Sequence, residues 1–511
     1  MRRNLIMLIV FLAFGAAADA ETFYISNGGG SMNCNGGQQT TSAPSFFNSG
    51  KNWATPKVSG KIGPGDSVYL CGTFTGGVGS TMLQVQGSGS NGSPITVKFD
   101  TNADLTSPAW GAIGAIDCGG RSFITIDGGT NGKIENTANG DSLANHIVTA
   151  GVNTSGGACV NLTVQNLTVS NLYIKTEDSN NSTDDSAAIN QAGANALITH
   201  NTIDHAATGI GMAGVNGVAN QEISFNTLSF CQHCITAGAG SSTTADGIKI
   251  HDNDIGGGAY LWDNSNNNYH HNAIIMVCEN HQNPCIKNLM IYNNYVHGIW
   301  SKTGHTTSMF FLDDYETSGI SGTVFNNFIS MDAADVGTGD GYIDGGRYVG
   351  FYNNTIVTPN TDKCFSVWNY PDVAVKNNIC SQGGTGTGIS SVMGEKPQNG
   401  GVKPDYNLYY GVTSWSYGTG SDTYSQWLAE CGCDSHSQNG KNPDLNPDGT
   451  LQAGSPAIGA GINLTGLGIT QLDFDRTGAQ RPASGAWDLG AYVASSQDRP
   501  TPPTNLGAVV E

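Results

Sequence analysis

One phrase constrains this chain more than any other: apolar, two fillers, Asn, filler, apolar, repeated seven times. It reads ITHNTI (198–203), ISFNTL (223–228), IHDNDI (250–255), IYNNYV (291–296), VFNNFI (324–329), FYNNTI (351–356) and VKNNIC (375–380). The shared residues Asn201, Asn226, Asn253, Asn294, Asn327, Asn354 and Asn378 stand 25, 27, 41, 33, 27 and 24 residues apart. Helical repeats need longer units and helix formers at 3.6-residue spacing, which these windows lack. A period near 25 with two insertions instead suits three short strands per unit, one turn of a parallel β-helix. Successive turns stack at about 4.8 Å, so like residues form columns. Asn suits the bend because it tolerates left-handed backbone angles and because stacked amides can hydrogen-bond along a column. The flanking Ile, Leu, Val and Phe are expected to point inward.

Composition agrees. Of 511 residues, 71 are Gly and only 12% are charged, which points to a turn-rich all-β chain. The formal charge of −20 excludes a nucleic-acid partner, which needs Lys and Arg clusters, and disfavours an anionic membrane surface. Arg2 and Arg3 precede the apolar run LIMLIVFLAFGAAA (5–18), and Ala18-Asp19-Ala20 supplies small residues. This pattern predicts a signal peptide, cleaved after Ala20, and a secreted or cell-surface protein. The run is shorter than the roughly 20 residues a membrane span needs, and no later segment is a candidate span. All twelve Cys follow this cut and can form disulfides. Cys278 and Cys285 are expected to close a local loop. Cys231-Gln-His-Cys234 has ligand-like spacing with His233, but no second pair accompanies it, so a structural cystine or buried thiols is expected and no metal is assigned there.

The seven phrases resemble the Asn ladder of right-handed parallel β-helix proteins of the pectin-lyase-like superfamily. The match runs from about 160 to 410, with less regular turns before it at ITVKFD (95–100), FITIDGG (123–129) and LTVQNLTVSNLYI (162–174). TFYISNGGG (22–30) and IGPGDSVYLCGTFTG (62–76) are similar to the opening of many secreted bacterial β-helices. GSPAIGAG (454–461), DFDRTGAQRP (473–482) and WDLGAYV (487–493) are similar to their closing segment. The implied fold is all-β, a single-stranded right-handed parallel β-helix with Asn ladder, loop insertions and a short closing segment. The expected organisation is a signal peptide (1–20), the β-helix domain (21–494, closing segment 454–494) and a Pro-rich tail (495–511). The resemblance implies extracellular polysaccharide chemistry in general. It does not carry specific catalytic residues: no Arg-x-Pro-x-x-Arg of pectate lyases is present. TDDSAAI (183–189) and DGIKI (246–250) resemble polygalacturonase motifs whose Asn-Thr-Asp and Gly-His-Gly companions are missing, so Asp184, Asp185 and Lys249 are not assigned.

With the Asn fixed at one bend, the strand opening each turn can be aligned too: AAINQ (187–191), GIGMAG (209–214), CITAGA (234–239), AIIMVCEN (273–280), MFFLDDYE (309–316), GYIDGG (341–346) and CFSVWN (364–369). Three successive members carry acids, Glu279, then Asp313 and Asp314, then Asp344. Stacking would set them about 5 or 10 Å apart, a crowding that raises a pKa or recruits a cation. Those spacings reach the 5–5.5 Å of a retaining and the 6.5–9.5 Å of an inverting glycosidase pair, to order of magnitude. Asp313 or Asp314 is the expected general acid, and Asp344 or Glu279 the base or nucleophile. The insertions at about 256–272 and 299–308 would wall this column and bring Tyr260, Trp262, His270, His271, Trp300, Lys302 and His305 to it, as aromatic and polar groups for sugar faces. Tyr315, Trp368, His281 and Arg347 complete the expected substrate contacts. No cofactor is assigned; Ca²⁺ at Glu279, Asp313 and Asp344 is the one metal candidate. The expected partner is a polysaccharide, cleaved by a hydrolase in preference to a lyase because Lys and Arg are sparse. The alternatives are a Ca²⁺-assisted lyase on uronic-acid glycans and a non-catalytic glycan-binding or adhesion β-helix.

Overall fold

The computed structural model describes residues 19–154, 157–175, 186–212, 219–239, 244–263, 270–278, 285–303, 308–314, 319–339, 341–359, 362–367, 373–391, 403–417 and 420–495. The chain winds as a right-handed parallel β-helix with three faces. A fourteen-stranded sheet forms the first face, and a second sheet folds around a corner to form the other two. Long strands such as Thr202–Met212 and Thr227–Ala239 contribute to both of these faces in one run.

Each face contributes one inward column. On the first, Ile198, Ile223, Ile250, Ile291, Val324, Phe351 and Val375 pair in register. Ile203, Leu228, Ile255, Val296, Ile329, Ile356 and Cys380 do so on the second. The third column is Ile189, Ile210, Ile235, Ile274, Phe310, Ile343 and Phe365. All are buried, and removing each such side chain from water stabilises the fold by roughly 1.5–3 kcal/mol.

The Asn column closes the corner between the first and second faces. The backbone N–H and the Nδ2 of Asn201 both donate to Oδ1 of Asn226 at 3.0 Å. The same pair of bonds recurs down to Asn378, which donates to Asn407. Asn407, outside the seven phrases, is therefore an eighth rung. The left-handed backbone angle falls elsewhere than expected. It belongs to the residue before each rung, His200, Phe225, Asp252, Asn293, Asn326, Asn353 and Asn377, with φ between 51° and 59°. The rung is selected for its amide, and the preceding position absorbs the turn.

Both ends of the coil are plugged. Phe47 and Trp53 pack edge-on at 4.9 Å at the N-terminal end. At the other, the helix Tyr424–Cys431 opens with a Thr423/Gln426 capping box and buries Trp427. Trp427 Nε1 and Tyr409 Oη donate to the fully buried Asp434. Disulfides join Cys34–Cys71, Cys118–Cys159, Cys278–Cys285, Cys364–Cys380 and Cys431–Cys433, so Cys278 and Cys285 close their loop as the sequence suggests. Cys231 and Cys234 are buried free thiols, and burial pushes the Cys234 thiol well up. No helix among the described residues is long and apolar enough to cross a membrane.

Candidate functional site

The third face carries the acids predicted from sequence, but in a different register from a straight column. Asp313 pairs with Val277 and Asp314 with Cys278 on the preceding strand Asn272–Cys278. On the following strand Ile343–Gly345, Asp344 pairs with Phe311. The strands are neighbours, as expected, while Asp344 lies two residues out of step with Asp313. With about 3.3 Å per residue along a strand and about 4.8 Å between strands, their backbones stand about 8 Å apart. The offset follows from the pairing of Phe310 with Ile343, because Asp344 stands one residue past its column residue and Asp313 three past its own. Gly345 and Gly346 have φ of 90° and 88°, and a Cβ on Gly345 would lie 1.8 Å from the carbonyl oxygen of Leu312. Only glycine permits that approach, and the strand ends at Gly345. Asp344 is 9% exposed, and Arg347 beyond the glycines is buried. Glu279, His281, His305, Tyr315 and Trp368 lie outside the described residues.

The two insertions fold onto each other through Asp263. Its Oδ1 accepts from His271 Nε2 at 2.8 Å and Ser301 Oγ at 2.9 Å, and its Oδ2 accepts from the Lys302 backbone N–H at 2.8 Å. Burial pushes this carboxyl up, but the bonds from His271, Lys302 and Ser301 outweigh it and hold the pKa at about 2. Within the first insertion, Gly258, φ 110°, precedes one 3₁₀ turn, Ala259–Trp262.

That turn corrects the expectation for the tryptophans. Trp262 is fully buried: its Nε1 donates to the Ile174 carbonyl at 3.2 Å and its ring meets Tyr173 edge-on at 5.4 Å. Trp300 is also fully buried in the main core, with its Nε1 donating to the His297 carbonyl. Neither presents a face for a sugar. An insertion of this length must bury apolar area of its own to stay folded, and its largest side chain serves that end. His271 is likewise buried, as part of the clamp. His270 is exposed. Tyr260 is half-buried, with the exposed Lys302 holding its Nζ 3.5 Å from the ring centroid, a cation–π contact. His233, behind the first insertion, is held neutral down to about pH 3, first by burial and then by the nearby His271 and His270.

Sequence reasoning missed a second concave region at the corner between the second and third faces. A cavity of about 410 Å³ lies between the strand residue Glu135, the loop containing Asn139 and Leu143, and Asn171, Tyr173 and His205. Asn171, His205 and Phe230 are left-handed bend residues of successive coils, φ 56°, 58° and 50°, stacked because Ser170, Asp204 and Ser229 pair before them. That left-handed column continues the logic of the repeat, but its residues share no type, so no motif marks it.

No protein-family model matches the sequence, and no curated protein sequence matches it. Among solved structures the chain is similar to XylC in complex with xylose, at 10% identity over 92% of this chain and 98% of that one, TM-score 0.54. It is also similar to pectate lyase Pel9A, 15% identical over 94% and 98% of the two chains, TM-score 0.40. A mannuronic-acid-specific polysaccharide family 6 lyase from human gut microbiota matches at 13% identity over 83% and 92%, TM-score 0.45. The fold is the right-handed parallel β-helix of pectin-lyase-like proteins. Fold alone does not fix chemistry.

Proposed function

We propose that this protein is an extracellular enzyme that hydrolyses glycosidic bonds of a polysaccharide on its third face. The observation that supports the reading is the adjacency of the acid-bearing strands Phe310–Asp314 and Ile343–Gly345 in a chain with few charges. A general acid must protonate the leaving oxygen while a second carboxylate activates water or attacks the sugar. Asp313 or Asp314 fills the first role and Asp344 or Glu279 the second. Tyr260, His270 and Lys302 flank the substrate path, with His281, His305, Tyr315 and Trp368 as further contacts, while Arg347, being buried, acts from behind the site. Five disulfides and the leader-like segment support export, and the xylose in the XylC complex supports a neutral sugar as substrate. Of the residues expected for Ca²⁺, Glu279 lies outside the described residues, and no step is routed through Ca²⁺.

The test is a screen of neutral and uronic polysaccharides, with and without calcium and chelator, that measures new reducing ends together with the ultraviolet absorbance of unsaturated products. Hydrolysis gives the first signal alone, a lyase gives both, and a non-catalytic binder gives neither. On the substrate found, Asp313→Asn, Asp314→Asn and Asp344→Asn are measured singly. The variant that loses the general acid should turn over roughly 10²- to 10⁴-fold more slowly. Wild-type turnover in all three would sink this site.

A further inference from the structure

We propose that the cavity beside Tyr173 is a binding pocket for a neutral sugar unit of a glycan chain, separate from the acids of the third face. The proposal deepens the glycan reading above and rests on it for the class of ligand. A cavity of about 410 Å³ is within the range of small-ligand sites, roughly 300–1,000 Å³. Its walls are held in place before any ligand arrives. The His205 ring lies flat on Phe230, centroids 4.4 Å apart and planes within 5°, and its Nδ1 is 2.7 Å from Asp204 Oδ2. One imidazole face is thus occupied, while the residue also lines the cavity. Tyr173 is fixed edge-on by Trp262 and by Gly140, where an added Cβ would lie 2.2 Å from the tyrosine ring. The loop wall is closed by Asn139, whose side chain exchanges two 3.0 Å hydrogen bonds with the backbone of Ile147. Leu143, 48% exposed, stands on the rim.

The polar groups select the ligand. Glu135 is 2.8 Å from Lys133 Nζ through Oε2, which orients its carboxylate at the cavity wall. A carboxylate accepts from sugar hydroxyls, and the exposed Asn171 has a carboxamide that can both donate and accept. No Lys or Arg lines the cavity, and Lys133 behind the wall is already engaged by Glu135 at 2.8 Å. The lining therefore offers hydroxyl-binding groups but no cation for a uronate carboxylate, which favours a neutral unit. Three coil steps, from the strand Thr202–Met212 to Phe310–Asp314, amount to about 14 Å along the coil axis, and His205 stands five residues before Ile210 while Asp313 stands three after its column partner Phe310, so the path to the acids also crosses the third face. An oligosaccharide seated here can therefore extend toward the acids.

Binding is measured by isothermal titration with neutral xylo- and gluco-oligosaccharides and with galacturonate oligomers. The Asp313→Asn/Asp344→Asn background removes turnover from the measurement. Neutral oligomers should bind at least tenfold more tightly than galacturonates. Glu135→Gln and His205→Asn should each weaken them at least tenfold with unchanged thermal melting; Asn is chosen at 205 because it tolerates the left-handed backbone there. Absence of neutral-oligomer binding, wild-type affinity in both variants, or equal affinity for galacturonates would overturn the pocket. Full turnover in the Asp313→Asn/Asp344→Asn protein would sink the catalytic assignment instead and leave the binding result standing.

Discussion

Each rung of the asparagine ladder does two separable jobs, and the chain divides them between neighbouring residues. Asn294 is fully buried. Its N–H and Nδ2 donate to Asn327 Oδ1, its Nδ2 also donates to the Ile250 carbonyl at 2.9 Å, and its Oδ1 accepts both donors of Asn253. Asn293 before it carries the left-handed angle. Asn294→Ala therefore leaves the bend geometry and the backbone bond to Asn327 Oδ1 intact but strands the backbone N–H and one Nδ2 hydrogen of Asn253 and takes the Nδ2 donor from the Ile250 carbonyl. Stranded buried groups cost about 1–3 kcal/mol each, and partial access of water makes a total of about 3 kcal/mol a reasonable expectation. Urea titration should show a lower midpoint at unchanged slope. An Asn294→Ala protein as stable as wild type would mean that the amide column is ornament and that the three inward columns alone set the coil.

At the scale of strands and loops, the sequence is most legible where residues of one kind recur at one position. The seven phrases locate the first and second faces, and the alignment of AAINQ through CFSVWN puts the third-face strands in the right neighbours, with Ile189 to Phe365 in one column. What periodicity could not supply is where a strand stops. The third-face strand that carries Asp344 stops at Gly345, where Gly345 and Gly346 take left-handed angles, an effect of local backbone sterics. Nor could it say whether Trp262 and Trp300 pack or present a face, because an aromatic residue in an insertion reads alike in both cases. The Glu135 cavity was illegible for another reason: its parts come from coils at or before the first phrase, where bends use Asn171 and His205 without a shared motif. The Asp263 clamp is an element-scale device of the same kind. Its folded pKa of about 2 lies below the unfolded value of about 3.9. The stability it contributes is fully present above the unfolded value and is lost as pH falls from about 4 through about 2. Hydrogen exchange in segments 259–263 and 300–303 should accelerate selectively in that window. Asp263→Asn should show the same acceleration already at pH 7, with coils such as Ser67–Cys71 unaffected. Equal exchange in mutant and wild type at pH 7 would show that the insertions hold without the clamp.

Across the whole molecule, stability in a solenoid is close to a sum over neighbouring coils, and this one adds a strap that ties several coils together from outside. The C-terminal segment lays Leu464, Leu472 and Trp487 over the outer column Tyr292, Phe325 and Tyr352, and Ala491 and Tyr492 over Phe328. It bonds to the residues that carry the left-handed bends. Asn326 Nδ2 donates to the Phe474 carbonyl, Asn353 Nδ2 to the Asp488 carbonyl and Asn377 Nδ2 to the Ile462 carbonyl. Arg481, buried and lowered by that burial to a pKa of about 10, stays charged at neutral pH and donates to Asn326 Oδ1 at 2.8 Å. Ending the chain at residue 440 would expose this aromatic column and leave the three bend carboxamides without those acceptors. The cost should be local. Amide exchange should rise in Ile320–Phe325, Tyr348–Tyr352 and Ala374–Lys376, and stay at wild-type rates in Ser67–Cys71 and Ile95–Phe99, while an apolar dye should bind the truncated protein. A uniform rise from end to end would contradict coil-by-coil stability. No change near residues 320–376 would show that the strap covers the barrel without holding it.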